Sequence, residues 1–347
     1  MRTSSRVLLV FILAMAAVSA AAVTVELPPV LESYVSKYVS LSPAERARLL
    51  NGGPVIKLLA GDQSKEVSLF GAIWIDASPG DYVRLVQDIE QFERGGPIRI
   101  TKKISSPPRP ADFEGFTLPD HDLSALRTCR VGGCDVKLSE DALLKLQKSI
   151  DWTRPTAKAD AAVAMRQVVY EYVKGYMKGG NDRLAVYRDA ARPTFVAAEF
   201  TSLIERMPEL GEYLPDLKAY LLNYPRVSLP TATAFLYWQE LRFGLKPTHR
   251  INHFIIDNRP GMTAVSSKLI YASHYFWTAL DVRVLLPDPA RGTGFWLATV
   301  TRSRSDGLDG FSGRLIRQQA QKQARRMLEN VLRSTKARLE ARQIAEW

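Results

Sequence analysis

The sequence is poor in the residues from which metal and redox centres are built. It contains two cysteines and four histidines among 347 residues. There is no second cysteine pair to complete a zinc site, and the two cysteines lack the C-x-x-C spacing of a thioredoxin-like motif. Nucleotide-binding glycine loops and the H-E-x-x-H helix of zinc proteases are also missing. We therefore predict no metal and no cofactor.

Histidines 249 and 253 have a spacing that would suit a metal on a helix. Their segment, THRINHFIID, is rich in Ile and Phe and follows Pro247, which favours a strand. On a strand the two rings lie about 13 Å apart, too far to share an ion. Asp257 continues the same face without bringing a ligand closer. The pattern predicts two strand histidines and no metal site.

No nucleophilic motif is recognisable. Ser312 lies in GFSGR, which lacks the G-x-S-x-G turn of hydrolases and begins a predicted helix, so a capping or turn role fits it better. A general acid or base remains conceivable inside a cavity, where burial shifts pKa values. The candidates for that role are His253, Asp257 and His274.

Long apolar runs are scarce, and the longest lies at the N-terminus. Arg2 and Arg6 precede an uncharged run from Val7 to Ala22, which ends in small residues, the order found in a signal peptide. We predict a signal peptide over residues 1–22, cleaved after Ala20 or Ala22. The alternative is an uncleaved anchor, because the run approaches the roughly 17 to 25 residues that span a bilayer. The protein is expected to be exported, either periplasmic or secreted.

Acidic residues are outnumbered, and the excess of positive charge is concentrated at the C-terminus. The net charge is +11, and between Arg314 and Trp347 nine Lys or Arg stand against three Asp or Glu. A solvated helix face explains this; a surface that meets anionic lipid head groups, with Arg325, Arg326 and Arg333 as its members, is the alternative. An exported chain without a recognisable nucleic-acid motif is not expected to bind nucleic acid. The oligomeric state stays open.

Both cysteines lie close together in TCRVGGCDVKL. In an oxidising compartment Cys129 and Cys134, joined by a turn through Gly132 and Gly133, should form a structural disulfide.

Elements of different kinds succeed one another along the chain. A lead segment over 23–50 contains a short helix capped by Ser42, and residues 51–138 alternate strands with a helix capped by Ser78. Extended pieces are predicted around FEGFTL and HDLSALRTC. Residues 139–230 have helical periodicity, and strands return over 231–347. The succession predicts an α+β fold with an inserted helical block.

The C-terminal stretch reads as strands followed by one long helix. The runs 263–286 and 292–305 are rich in β-branched and aromatic residues. Apolar residues then recur at helical spacing, predicting a helix of roughly eight turns. They are Leu315, Ile316, Ala320, Ala324, Met327, Leu328, Val331, Leu332 and Leu339.

Three segments resemble the START-like, or SRPBCC, helix-grip superfamily: WIDASPGDYVRLVQDI, the later antiparallel strands, and the helix entered through RSDGLDGFSGRLIRQ. The likeness covers residues 51–138 and 231–347, and the helical block is a departure from a minimal domain. The resemblance implies a curved antiparallel sheet that grips the long helix around a cavity, often for lipids or other hydrophobic ligands, with a minority of enzymes. CRVGGCDVKL and YASHYFWTALDVRVLL are similar to exported bacterial proteins of this type.

Taken as one strand, residues 271–286 have an apolar face that would suit a cavity wall. That face carries His274, Phe276, Thr278, Leu280, Val282 and Val284, and the other carries Tyr271, Ser273, Tyr275, Trp277, Asp281 and Arg283. An ordinary packed core would look nearly the same. The candidate ligand-lining residues are Trp74, Tyr237, Trp238, His253, His274, Phe276, Trp277 and Trp296.

Two kinds of function follow. The first is a non-catalytic exported protein that encloses a hydrophobic molecule or lipid. The second is a cavity enzyme of cyclase, hydrolase or isomerase type. A structural or interaction protein with a filled core is a further alternative.

Overall fold

A computed structural model describes residues 26–244 and 246–345, so the predicted signal peptide over 1–22 lies outside the described residues. The α+β prediction is confirmed, with an antiparallel sheet and a long C-terminal helix. The strands are β1 (Val55–Leu58), β2 (Glu66–Ile75), β3 (Ile98–Ile104), β4 (Val186–Tyr187), β5 (Thr194–Phe195), β6 (Ala232–Phe243), β7 (Lys246–Arg259), β8 (Met262–Ala272), β9 (Phe276–Pro287) and β10 (Phe295–Ser305).

Helices form the rest of the framework, and the predicted Ser42 and Ser78 caps both form capping boxes. The helices are α1 (Pro29–Tyr34), which continues as a π-helical turn over Val35–Val39, α2 (Pro43–Leu50), α3 (Pro79–Gln87), α4 (Ile89–Phe92), α5 (Asp120–Ala125), α6 (Glu140–Ser149), α7 (Ala157–Gly179), α8 (Val196–Glu205), α9 (Pro208–Tyr213), α10 (Pro215–Asn223) and α11 (Gly310–Ala345). Short 3-10 helices cover Pro110–Phe113 and Gly180–Arg183.

Eight strands make one open sheet in the order β1-β2-β10-β9-β8-β7-β6-β3, and every neighbouring pair is antiparallel. The chain crosses from β2 to the far edge at β3 through α3 and α4. The helical block follows, and the chain then returns strand by strand from β6 to β10. The last strand lies beside β2, so α11 starts in the middle of the sheet and crosses over β2 and β1.

The two faces of the sheet are covered by different elements. We call the side under α11 the inner face and the side under the helical block the outer face. On β10, for example, Leu297 packs inward with α3 and α4, whereas its neighbour Trp296 packs outward against a cluster that includes α8 and α9. Because both faces are buried, the strands carry apolar side chains on both sides.

A close approach fixes α11 to the sheet. Gly71 on β2 has no side chain, and a Cβ atom built there would lie 3.0 Å from both Leu328 Cδ2 and Leu332 Cδ1. Farther along the helix Leu339 is fully buried. The C-terminal half of α11 is therefore seated on the sheet, as its predicted apolar spacing requires, while Leu315 near its start remains 59% exposed.

Two sequence predictions are wrong. Residues 271–286 are not one strand: β8 ends at Ala272, and Tyr275 takes a left-handed backbone conformation, with φ of 59°, in the turn before β9. The segment around HDLSALRTC forms α5 rather than a strand, because Pro119 suits the position before a helix and Asp120 and Asp122 lie in its first turn.

The disulfide between Cys129 and Cys134 is confirmed. Arg130 and Gly133 exchange two backbone hydrogen bonds of 2.9 Å across the turn, in which Gly132 has a φ of 88°. Gly132 and Cys134 also donate to the carbonyls of Arg188 and Asp189, so the loop is fastened to the helical block. Among the described helices there is none with the length and apolar character needed to cross a membrane.

Candidate ligand cavity

An internal cavity of about 270 Å3 lies between α11 and the inner face of the sheet. Its roof comes from one side of the helix, whose spacing brings seven apolar residues and one threonine to a single stripe. These roof residues are Ile316, Ala320, Ala324, Met327, Leu328, Val331, Leu332 and Thr335. Seven of the nine helix residues predicted from periodicity therefore line the cavity.

The floor of the cavity mixes apolar and polar side chains from β2 and from β6 to β10. Alternation within each strand brings every second residue to this face. The floor residues include Leu69 on β2, Tyr237 and Leu241 on β6, Arg250 and Asn252 on β7, Ser267 and Leu269 on β8, Phe276, Ala279, Asp281 and Arg283 on β9, and Leu297, Thr299 and Thr301 on β10.

One polar group on the floor is compensated by its neighbours. Arg283 Nη2 lies 3.8 Å from Glu93 Oε1, and Arg283 Nη1 lies 3.4 Å from the Tyr82 hydroxyl. Burial alone would lower the pKa of Arg283. Its interactions with Tyr82, Glu93 and Asp281 outweigh burial and raise that pKa above its ordinary value. Arg283 therefore stays charged beside the cavity.

A second polar group lies on β6 and β7. Arg250 Nη2 donates to Gln239 Oε1 at 2.7 Å, and Asn252 is on the same face two residues farther along. Tyr237 lies 3.3 Å from Ser267 Oγ through its hydroxyl, and burial raises the pKa of this tyrosine, so it remains protonated at neutral pH.

Two residues of the roof are exposed, Ile316 near the start of α11 at 52% and Val331 farther along at 40%. Phe311, five residues before Ile316, is 85% exposed, which is unusual for so large an apolar side chain. The helix therefore exposes apolar surface beside the cavity.

Of the eight candidate ligand-lining residues, the structure brings two together in the cavity, Tyr237 and Phe276. The other six lie elsewhere. Trp74 and Trp296 pack edge to face at 5.2 Å on the outer face, and Trp238 is buried there with its indole N–H bonded to the Asp112 carbonyl at 2.8 Å.

The strand face expected to line a cavity packs outward instead. Leu280, Val282 and Val284 contact the helical side, where Val282 and Val284 border a smaller apolar cavity of about 60 Å3, and Trp277 packs on the same side. Asp281 and Arg283 from the opposite face are the ones that reach the cavity. The apolar and polar residues alternate as predicted, and the larger of the two cavities lies on the side opposite to the predicted one.

His274 is buried in the turn after β8 and bonds Asp122 Oδ2 at 2.8 Å through Nε2. A histidine with a carboxylate partner is the arrangement that supports acid-base chemistry. This pair does not line the cavity, however, and both side chains are at most 4% exposed. It connects α5 to the sheet.

His253 and its cross-strand neighbour Lys268 form a buried polar group on the outer face. His253 Nδ1 lies 3.0 Å from the Tyr176 hydroxyl, and burial lowers the pKa of the imidazole to about 3. Lys268 bonds Asn181, and its ammonium lies 4.0 Å from the centre of the Phe200 ring. Burial lowers the pKa of this lysine to about 7. The group is enclosed and has no opening to the cavity.

Histidines 249 and 253 both lie on the outer side of β7, so the predicted strand is confirmed. Within residues 26–244 and 246–345 there is no group of three or more His, Cys, Asp or Glu side chains placed to hold a metal ion. On α11, Arg325 and Arg326 are exposed, and Arg333 is paired with Glu329 at 2.7 Å.

Comparison of the chain with protein-family models and with curated proteins finds no match.

Proposed function

We propose that this chain is an exported START-like protein that encloses a hydrophobic molecule, or the apolar part of a lipid, in the cavity under α11 and does not transform it. The observation that carries the proposal is the space of about 270 Å3 between the apolar stripe of the helix and the sheet. A sheet holding a long helix around a cavity is what the START-like resemblance implies. The disulfide fits an oxidising, extracytoplasmic compartment.

The volume sets the size of the ligand. At about 30 Å3 for a water-sized group, 270 Å3 accommodates a chain of about nine methylene groups. Burying them contributes about 0.8 kcal/mol each, or about 7 kcal/mol in total before the cost of ordering the ligand. That gain corresponds to a dissociation constant on the order of 10 µM at best.

The two other functions receive less support. A cavity enzyme would need an acid or base facing the ligand, and the His274–Asp122 pair lies outside the cavity. A protein with a filled core would have no space under α11. Binding without catalysis is the function that needs nothing beyond the observed arrangement.

Native mass spectrometry of the exported protein, followed by lipid extraction, tests the proposal. We expect a co-purifying hydrophobic molecule, and a higher melting temperature when medium-chain lipids are added. Met327→Trp, which fills the cavity, should lose both effects. Gln319→Trp, on the exposed side of the same helix, is the matched control and should keep them. Absence of both effects in the unmodified protein would contradict the proposal.

We also propose that the exposed surface of α11 beside the cavity meets a membrane containing anionic lipids. Exposed Phe311 and Leu315 precede the cavity-lining Ile316 at the start of α11, and the exposed Arg325 and Arg326 lie farther along the same helix. Apolar insertion and attraction to anionic head groups add together in such surfaces. Arg333 contributes less, because Glu329 balances its charge.

Co-sedimentation with vesicles tests the membrane contact. The protein should bind vesicles that contain phosphatidylserine or phosphatidylglycerol and release them at high salt. Charge reversal at Arg325, Arg326 and Arg333 should abolish binding, and Phe311→Ser should weaken it. Equal binding to neutral and anionic vesicles by all variants would overturn the electrostatic part of the proposal.

A further inference from the structure

We infer that the ligand of the cavity carries one terminal anionic group, a carboxylate or a phosphate, which is held by Arg250 with the amides of Gln239 and Asn252. The inference rests on the proposed function and adds the chemical class of the ligand. It is carried by three buried hydrogen-bond donors without partners at neighbouring positions of β6 and β7, two of which belong to residues that line the cavity floor.

Three buried nitrogen donors lie near one another on β6 and β7. Arg250 Nε, Gln239 Nε2 and Asn252 Nδ2 are each buried, and none has a hydrogen-bond partner in the part of the chain that the structure describes. Gln239 Oε1 already accepts from Arg250, which directs the Gln239 amide N–H groups elsewhere. Buried donors without partners are costly and rare, so a ligand that supplies acceptors is favoured at this place.

The three donor residues occupy neighbouring positions on two paired strands. Gln239 and Arg250 are opposite each other on β6 and β7, and Asn252 follows Arg250 on the same face of the strand. Arg250 and Asn252 line the cavity, and Gln239 is fully buried next to them. The planar guanidinium offers parallel N–H groups that match the two oxygens of a carboxylate or phosphate.

The positive charge of Arg250 has no acidic neighbour to balance it among the described residues. No carboxylate of the described residues lies within 4.0 Å of the Arg250 guanidinium, whereas Arg283 on the same floor has Glu93 at 3.8 Å. Asp281 pairs with Ser267, which pairs with Phe254, so Asp281 and Arg250 are two strands apart and differ in register by four residues. That is about 13 Å along the strands and about 10 Å across them. The cation at Arg250 is therefore balanced by no neighbour in the floor.

The surroundings of Arg250 are apolar, which indicates the character of the rest of the ligand. The roof above the floor is apolar, from Ile316 to Leu332, and the Phe276 ring lies 5.9 Å from the Arg250 guanidinium. A single charged end next to an apolar chamber suits an amphiphile, and the volume suits a chain of about nine or ten carbons. Small inorganic anions alone would leave the chamber empty.

Isothermal titration calorimetry at pH 8 with four probes of one chain length tests the inference: decanoate, decyl phosphate, 1-decanol and methyl decanoate. We expect the folded protein to bind decanoate or decyl phosphate at least about tenfold more tightly than the two neutral probes. The tighter of the two anions identifies the preferred head group. In Arg250→Met the preference for the anionic over the neutral probes should disappear, while the affinity for 1-decanol stays unchanged.

Two further variants keep the test decisive. Asn252→Asp places a negative charge beside the guanidinium and should reverse the preference towards the neutral probes, even if Arg250→Met does not fold. Lys322→Met removes a charge from the exposed side of α11 and should leave the preference intact.

The outcomes separate the two proposals. Equal binding of anionic and neutral probes, unchanged by Arg250→Met, would overturn the anionic head group and leave a hydrophobic cavity. Failure of all four probes to bind would overturn the proposed function and this inference with it.

Discussion

The two faces of the eight-stranded sheet differ in how they are covered. A helix is about 10 to 12 Å across, whereas eight strands span about 34 Å. On the outer face α1 and α7 to α10 pack over the strands, and cavities of about 230 Å3 beside α6 and α7 and about 60 Å3 beside α1 and α9 remain there. On the inner face α3 and α4 fill one end, and α11 alone covers the rest. One helix cannot close so wide a surface, and the cavity is what remains.

The faces also differ in the treatment of charge. The outer face encloses Lys268, His249 and His253 so completely that burial lowers the pKa of each. The inner face keeps Arg283 charged beside Glu93 and leaves Arg250 facing the cavity. Burial without a charged partner disfavours the charged form of the lysine and the two histidines, whereas the buried arginines on both faces have carboxylate partners: Arg302 with Glu66 and Arg304 with Glu199 outside, and Arg283 with Glu93 inside.

A pair of large-to-small substitutions compares the two faces directly. Leu280 is fully buried in the outer core, so Leu280→Ala should lower the free energy of unfolding by about 2 to 5 kcal/mol. Met327 borders the existing cavity, so Met327→Ala removes fewer contacts and should cost less than about 1 kcal/mol. Urea unfolding measures both. Equal losses would mean that the inner face is as tightly packed as the outer one.

The next prediction uses the lysine sealed on the outer face. The pKa of Lys268 is about 7 in the folded protein and about 10.4 in the unfolded chain. Between these values the unfolded chain holds a proton that the folded protein has released, so stability rises with pH. The rise from pH 7 to pH 10 amounts to up to about 4 kcal/mol. Below pH 7 both states are protonated and this contribution no longer changes.

Lys268→Met should lack this dependence. The side chain is surrounded by Tyr176, Phe200 and Asn181, and His253 lies across the strand pair. The difference between the variant and the unmodified protein in urea unfolding should therefore be largest near pH 7 and shrink towards pH 10. Lys322→Met, an exposed lysine on α11, is the control. Parallel profiles for all three proteins would refute the buried-lysine argument.

His249 gives a smaller effect in the opposite pH range. Burial lowers its pKa to about 4 from about 6.5 in the unfolded chain, so stability is lost as pH falls through this window, by up to about 3 kcal/mol. Both ring nitrogens lack hydrogen-bond partners among the described residues, and the ring packs 4.6 Å from that of Phe116.

His249→Phe should therefore fold, match the unmodified protein at pH 7.5 and exceed its melting temperature at pH 5. His121→Phe, at an exposed histidine, is the control and should keep the acid sensitivity of the unmodified protein. Loss of the folded state in His249→Phe at pH 7.5 would show that the imidazole has a partner that an apolar ring cannot replace.

Much of this architecture could be predicted from local sequence. The caps at Ser42 and Ser78, the disulfide turn and the apolar stripe of α11 each depend on residues within a few positions of one another. The turn before β9 could not be predicted, because Ser273, His274 and Tyr275 include none of the glycine, proline or asparagine that mark turns.

The position of the cavity could not be predicted from local sequence, for a different reason. Alternation separates Val282 from Arg283 but does not say which helices cover each side. Since both faces are buried, the more apolar side is not a guide to the cavity. The polar residues at alternate positions, Arg250 and Asn252, were the available signal, because a buried strand rarely carries two such side chains on one face.

The smallest predicted effect tests whether the inner face has room. Ala324 lines the cavity, so Ala324→Leu adds methylene groups to empty space and should raise the free energy of unfolding by up to about 1 kcal/mol. Ala264 is 1% exposed in the outer core, and Ala264→Leu should instead lower it by about 1 to 3 kcal/mol through overpacking. Urea unfolding of the delipidated proteins compares the two. If both substitutions lower the free energy of unfolding to the same extent, the space under α11 closes in solution. Changes of opposite sign mean that the sheet has room for a larger side chain under α11 and none around Ala264.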